Sequence, residues 1–478
     1  MLKNGAYNTA AGLIRIGIGI LTIPVLIRSL GVEEYGLWTL ASTVISVVAL
    51  AEAGLATATT IFISQDLAKD DFDGVSETLT VTVGAMLILA VIVVIFLWMG
   101  AEPIVGSFSK LAQTQHLIVV QAIQIGGLVV SARLLQQILV GVEQAYQCYD
   151  LMNLLNTIQS LLNGLGMLLI VGVGGHTVEL MEWQVFTSIS ILLAHMMLVF
   201  SLTKLIKLRP CWNKHKGLTI VRYSGQTWLA SLGGVLFSQV DRLIVGSMLG
   251  SKELGIYAAI TNITSQINVL SALPVQPLVP YLARHDLDRT TLQKRIKSAL
   301  QLNAVVALGL GAILYSFAPL ILNILLDKTF SADLIVPFRI ATAIYALYSV
   351  NAVGYYTLFA IGEVSICMKI QLLSGVFSLL LIYLGVSNFG VIGAVTGNIG
   401  YLGVWFLTIA AMNRIKIDLN LWSKWIGFPI MWFIIILISG ILVGRNSFAS
   451  ILIFVIQSAI LVHWYSKNSS FTVKHIIT

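Results

Sequence analysis

The chain has 478 residues, of which 57% are hydrophobic and 10% charged, and its mean hydropathy is +0.91. A water-soluble protein of this length needs far more charge to cover its surface, which excludes a soluble fold. The net charge of +7 would suit nucleic acid, but the basic residues collect in loops on one side of the predicted spans, so no nucleic-acid partner is expected.

Long apolar runs such as Met86 to Met99 and Ile430 to Val443 lack the alternation of barrel strands, which leaves helices as the way to satisfy the backbone in lipid. Fourteen predicted spans follow in chain order. The first six are 8–30, 36–64, 79–100, 117–141, 151–173 and 184–206. The next six are 221–249, 256–283, 297–326, 333–360, 363–386 and 390–413, and the pair 425–444 and 447–465 closes the chain. The first carries Arg15 and Arg28 and lacks a small-residue cleavage pattern, so it reads as a retained helix and not a signal peptide. The expected fold is an all-α polytopic membrane protein of about fourteen transmembrane helices. Its parts are an N-lobe (1–208), a basic inter-lobe loop (209–220), a C-lobe (221–414) and a C-terminal helix pair with its tail (415–478).

With the N-terminus inside, nineteen Lys and Arg fall on the cytoplasmic side and four on the other, which places both termini in the cytoplasm. Cys148, Cys211 and Cys367 form no close pair and no metal-ligand spacing, and Cys148 and Cys367 fall in predicted cytoplasmic loops.

The chain also repeats itself. Leu30-Gly31-Val32-Glu33-Glu34-Tyr35-Gly36-Leu37-Trp38 recurs as Leu249-Gly250-Ser251-Lys252-Glu253-Leu254-Gly255-Ile256-Tyr257, an offset of 219. The same offset relates Cys148 to Cys367, and 220 relates Glu143 to Glu363. Each copy crosses six times, so the repeats are parallel and their interface is the expected substrate path.

Five arginines lie inside predicted spans: Arg15, Arg28, Arg133, Arg242 and Arg339. Each costs roughly 2.5–3.5 kcal/mol at mid-membrane, so lipid-facing placement of all five would cost on the order of 12–18 kcal/mol. They are therefore candidate anion-binding residues, although Arg28 at the outer mouth of its span could equally snorkel. In the first span Asn8, Arg15 and Thr22 share a face with Gly12 and Gly19. In the seventh, Ser224, Thr227, Ser231, Gly234, Ser238 and Asp241 form a stripe beside Arg242, which would also suit helix packing. Glu52 and Asp241 read as counter-ions to an Arg or as sites for a coupling H+ or Na+. His195 reads as a hydrogen-bonded histidine. Pro24, Pro274 and Pro277 are candidate gating kinks, with packing as the alternative. Nothing resembles a phosphate loop, a dinucleotide fingerprint, a metal set or a nucleophile elbow, so neither a cofactor nor an enzymatic role is expected.

The segment Glu34-Tyr35-Gly36-Leu37-Trp38-Thr39-Leu40, followed by Glu52-Ala53-Gly54-Leu55-Ala56-Thr57-Ala58, resembles the polysaccharide biosynthesis exporter family. These are the Wzx-type flippases of the multidrug/oligosaccharidyl-lipid/polysaccharide superfamily. The resemblance continues through Gly141 to Glu143 into the second repeat. It implies a two-lobed fold that moves undecaprenyl-diphosphate-linked oligosaccharide, an O-antigen or capsule unit, across the bacterial inner membrane by alternating access. Partners implied are membrane lipids, the polymerase and the chain-length regulator. Family members often have twelve helices, so the last pair is a departure; related lipid II flippases have fourteen, but their arginine-rich opening motif is absent. The basic interior suits a diphosphate. A multidrug exporter of the same superfamily is the alternative, and a membrane-embedded enzyme or scaffold of envelope assembly a third reading.

Overall fold

A computed structural model describes residues 17–19, 21–52, 54–203, 211–236, 239–275, 282, 289–326, 331–443 and 447–468. Among the described residues every regular element is helical. The first helices are α1 (Gly17–Leu30), α2 (Val32–Val48), α3 (Leu55–Leu67), α4 (Phe72–Gly106), α5 (Gln113–Ala145), α6 (Tyr149–Gly172) and α7 (Thr177–Thr203). Then come α8 (Lys214–Leu236), α9 (Val240–Leu249), α10 (Ser251–Ala272), α11 (Arg289–Ser316), α12 (Ala318–Leu326) and α13 (Ile335–Ser349). The last are α14 (Ala352–Ala360), α15 (Val364–Gly397), α16 (Trp405–Arg414), α17 (Leu419–Val443) and α18 (Ser447–Asn468). Eight stretches of the described residues are long and apolar enough to cross a membrane unaided, and shorter or broken helices stand at the other predicted spans. The chain is thus an all-α polytopic membrane protein with helices for about fourteen crossings. It divides into two compact units, Met1–Ile256 and Tyr257–Thr478.

In the first unit α5 is the central helix, packed by α2, α3, α4 and α7. Its buried residues surround the helix, as a span enclosed by neighbours requires. Small residues set the approach: a Cβ at Gly141 would lie 2.8 Å from the Ala56 carbonyl oxygen. The predicted span 36–64 is not one helix. A 3₁₀ turn, Ala49–Glu52, and a left-handed Gly54 (φ 69°) separate α2 from α3. Hydropathy does not register this break, because both sides are apolar. The Trp228 indole N–H of α8 donates to the freed Leu50 carbonyl at 2.9 Å, so the interruption is hydrogen-bonded in place.

The repeated Gly-containing turns have a shared geometry. Gly31 and Gly250, 219 residues apart, take φ 81° and 97° immediately before α2 and α10. A Cβ on Gly36 would meet the Ser251 carbonyl oxygen at 1.8 Å, and one on Gly255 would meet that of Val32 at 2.1 Å. The contact is reciprocal because Ser251 and Gly255 stand at the same offset from Val32 and Gly36.

α8 begins at Lys214, inside the segment 209–220 expected as loop. Lys216 anchors this end, its ammonium donating to Asp66 Oδ2 at 2.8 Å and the Gly74 carbonyl at 2.7 Å. Asp71 caps α4 by accepting from the Gly74 N–H at 2.8 Å.

In the second unit α11 carries α13 on one flank and the last pair, α17 and α18, on another. Tyr315 donates to the Leu437 carbonyl and Trp432 to that of Gln457, stitching the terminal helices into this unit. The predicted spans 363–386 and 390–413 meet at Gly390, whose φ of 58° reverses the chain. Past it Gly393, Gly397, Gly400 and Gly403 lie against Gly385, Ile382, Ser378 and Ser374, where a larger side chain would strike the facing helix. Cys367 corrects its expected loop placement: it sits in the first turn of α15 and is buried.

Candidate functional site

Arg133 lies within α5, the central helix of the first unit, and is half-buried. Among the described residues it makes no hydrogen bond and no ion pair. One turn on, Gln136 and Gln159 of α6 exchange amide hydrogen bonds at 2.9 and 3.2 Å. Further along α6, Asn163 accepts from Thr187 of α7 at 2.6 Å. Polar side chains thus line the seams among α5, α6 and α7, yet none neutralises the guanidinium.

Glu52 stands in the 3₁₀ turn of the broken second span, half-buried, with no ion pair or hydrogen bond among the described residues. A carboxylate where backbone carbonyls leave the helical ladder is the type of position that transporters use for cations.

The other candidates differ in setting. Arg28 is exposed near the end of α1, as an anchoring arginine would be. Asp241 is buried and Arg242 half-buried in the first turn of α9, and both are engaged by neighbours. A carboxylate there also meets the positive end of the helix. Arg339 is held by the protein itself: its Nε donates to the Tyr315 carbonyl at 3.3 Å, Nη1 to the Gly440 carbonyl at 3.2 Å, and its guanidinium stacks 4.9 Å from the Tyr315 ring centre. That cradle joins α11, α13 and α17, which gives Arg339 a packing task. Pro24 lies within α1, and Pro274 is exposed in the turn after α10. Arg15 and Pro277 lie outside the described residues, as do Asn8 and Gly12. Thr22 is buried and donates to the Ile18 carbonyl at 2.7 Å, a bond within its own helix.

Sequence reasoning missed two acid–base pairs. His195 Nδ1 of α7 lies 2.7 Å from Glu143 Oε1 of α5, with both side chains 0% exposed. Around this end of the helices pack Ile63, Val75, Val142 and Val199. In the second unit Arg414 Nε lies 3.3 Å from Glu363 Oε1. The offsets are 220 for the acids and 219 for the bases, so near-equivalent positions of the two repeats pair an acid with a base, buried in the first unit and partly exposed in the second. The signal was present in the Glu143 and Glu363 match, but the basic partners differ in type and escape a search for identities.

The second unit also contains a cavity of about 160 Å³. Its walls include Tyr348, Tyr355, Tyr356, Asn268, Asn351 and Gln371, and no charged residue among those described.

A family model for the polysaccharide biosynthesis proteins matches residues 1–285, more than half of the chain. The chain belongs to this family. The fold of this chain is similar to that of solved transporters, among them ones described as of the MOP superfamily. The chain superposes on the lipid II flippase MurJ in an inward closed conformation with TM-score 0.74 and 13% identity, covering 96% of this chain and 99% of that one. It superposes on an inward-facing multidrug resistance MATE family transporter with TM-score 0.67 and 16% identity, over 86% and 94% of the two chains. A MOP superfamily transporter from Pyrococcus furiosus Vc1 (DSM3638), described as having a binding pocket of reverse polarity, gives TM-score 0.57 and 14% identity over 87% and 96%. Comparison with curated proteins finds no sequence match.

Proposed function

We propose that this member of the polysaccharide biosynthesis family is a flippase for an undecaprenyl-diphosphate-linked oligosaccharide, an O-antigen or capsule repeat unit. It carries the lipid from the cytoplasmic to the periplasmic leaflet of the bacterial inner membrane by alternating access, with both termini in the cytoplasm. The lobes 1–208 and 221–414, with the pair 415–478, are the moving parts of this reading, which invokes no catalytic step.

The observation that carries the proposal is Arg133. A guanidinium inside a membrane helix, with no protein anion against it among the described residues, is expensive unless a ligand or water meets it. Its planar fork matches the oxygens of a diphosphate. Arg15 and Arg242 are proposed as its companions, Arg28 as a contact at the mouth, and Arg339 as a contributor of positive field through its packed position. Glu52 and Asp241 are the proposed sites of H+ or Na+ coupling, and Pro24, Pro274 and Pro277 the proposed bending points. The multidrug reading is supported by the MATE-like fold alone: carboxylates favour a path for organic cations, and among the candidates inside the predicted spans arginines outnumber them.

The test is complementation of a flippase-null strain, scoring surface polysaccharide against membrane-inserted protein. Arg133→Lys keeps the charge and should retain partial export, whereas Arg133→Ala should lose roughly tenfold or more, corresponding to about 1.4 kcal/mol of a charge-assisted contact. Normal export by a fully inserted Arg133→Ala protein would remove the basis for a cationic path.

A further inference from the structure

We infer that the cavity in the second unit binds one neutral sugar ring of the transported glycan, separately from the residues that meet the diphosphate. This inference rests on the flippase reading above.

The cavity forms where a predicted span is interrupted. α13 ends at Ser349 and α14 begins at Ala352, and the joint places Tyr348, Asn351, Tyr355 and Tyr356 along one wall. That wall is fixed in position. Asn351 accepts a hydrogen bond from Thr408 at 2.8 Å. Tyr348 packs against Tyr345 and Tyr401, with ring centres 6.3 and 6.1 Å away. Tyr355 meets Tyr356 edge to face at 5.4 Å and stacks on Phe359. The remaining polar walls come from Asn268 of α10 and Gln371 of α15. Among the described residues, neither side-chain amide is hydrogen-bonded within the protein.

The chemistry of the lining selects the ligand. With no Lys, Arg, Asp or Glu among the described residues of its walls, the cavity offers neither a diphosphate nor a cation a counter-charge from them. A polyprenyl chain would bury two amides without partners, an unfavourable exchange. A pyranose ring has apolar C–H faces that lie flat on aromatic rings. It also has an equator of hydroxyls that donate and accept, as the Asn268 and Gln371 amides do. The volume points the same way. Sites for drug-sized molecules occupy roughly 300–1,000 Å³, and about 160 Å³ is nearer the space of a single ring. Tyrosine walls alone could attract an organic cation through their faces, and the test includes that outcome.

The experiment uses the full chain in lipid nanodiscs. It measures the affinity for bare undecaprenyl diphosphate and for the same lipid carrying a single N-acetylglucosamine or galactose. The wild-type protein should bind one of the sugar-bearing lipids about tenfold more tightly than the bare lipid. In Asn268→Ala/Gln371→Ala, and to a lesser degree in each single variant, that ratio should fall to about twofold or less. Because the ratio is read within each variant, a lower yield of folded protein does not enter it. A wild-type protein that binds the bare lipid with no gain from either sugar, or a double variant that keeps the gain, overturns the inference and leaves the flippase reading standing. A wild-type protein that binds none of the lipids overturns both. Tetraphenylphosphonium binding that the double variant abolishes would assign the cavity to organic cations and overturn the sugar assignment.

Discussion

Arg133 and the Glu143–His195 pair represent two ways for a membrane helix to carry a polar side chain. Arg133 has no partner among the described residues and so awaits one, whereas Glu143 and His195 satisfy each other at 2.7 Å. Removing one member of the pair leaves the other's hydrogen bond unmade among Val142, Val199 and their neighbours. Glu143→Ala and His195→Ala should each destabilise the protein by about 1–3 kcal/mol. In the double variant the two losses should fall short of adding, by roughly 0.5–3 kcal/mol. Thermal unfolding in detergent measures both, and strict additivity would deny the contact. His176, in the loop before α7, is a milder case: Glu34 accepts its hydrogen bond at 2.9 Å, and that bond, with the carboxylate charge, raises the imidazole above its ordinary 6.5. A raised folded-state value means the pair contributes fully below about pH 6.5 and fades as pH climbs through the raised value. The imidazole is largely exposed, so the contribution is small. His176→Ala should therefore lower the unfolding midpoint more at about pH 5.5 than at about pH 9; an equal shift at both would mean the pair does not titrate with folding.

At the scale of elements, the predicted spans are legible because length and hydropathy are properties of a segment. Each has helix at its place among the described residues. The interruptions are less legible. The Ala49–Glu52 turn lies in an apolar window, and what stabilises it is an indole 178 residues away, Trp228 on the Leu50 carbonyl. Arg339 has the same lesson: its position in a span suggests a substrate contact, but the carbonyls of Tyr315 and Gly440 come from other helices. Close helix approach is partly legible, since the repeated Gly turn marks it. Gly36→Ala would drive a methyl into the Ser251 carbonyl, and backbone displacement should cost about 1–3 kcal/mol. Gly84→Ala in α4 meets nothing within 4 Å and should be neutral or stabilising by up to about 1 kcal/mol. Equal unfolding midpoints for the two variants would contradict the packing at Gly36.

For the whole molecule, the strongest internal evidence of repetition is structural correspondence at offsets of 219 and 220: the left-handed Gly31 and Gly250, and the pairs Glu143–His195 and Glu363–Arg414. Two copies of six crossings and a final pair make an even total, so reporter fusions at both ends should report the same side, the cytoplasm; a periplasmic C-terminal reporter would require a different count of crossings. The candidate path was visible in the sequence as arginines in apolar segments, because their cost is independent of fold. Which of them stay available to a ligand was not, since that depends on what the other helices bring to them. The proposed role is movement of a lipid-linked diphosphate between leaflets. The most direct measurement reconstitutes the purified protein in liposomes with fluorescent undecaprenyl-diphosphate oligosaccharide and follows quenching of the label by a membrane-impermeant reductant. With the wild-type protein the quenchable fraction should rise from about half towards completeness, and with Arg133→Ala the rise should be roughly tenfold slower or more. No translocation by the wild-type protein, in vesicles where it exports an organic cation, would rule that role out.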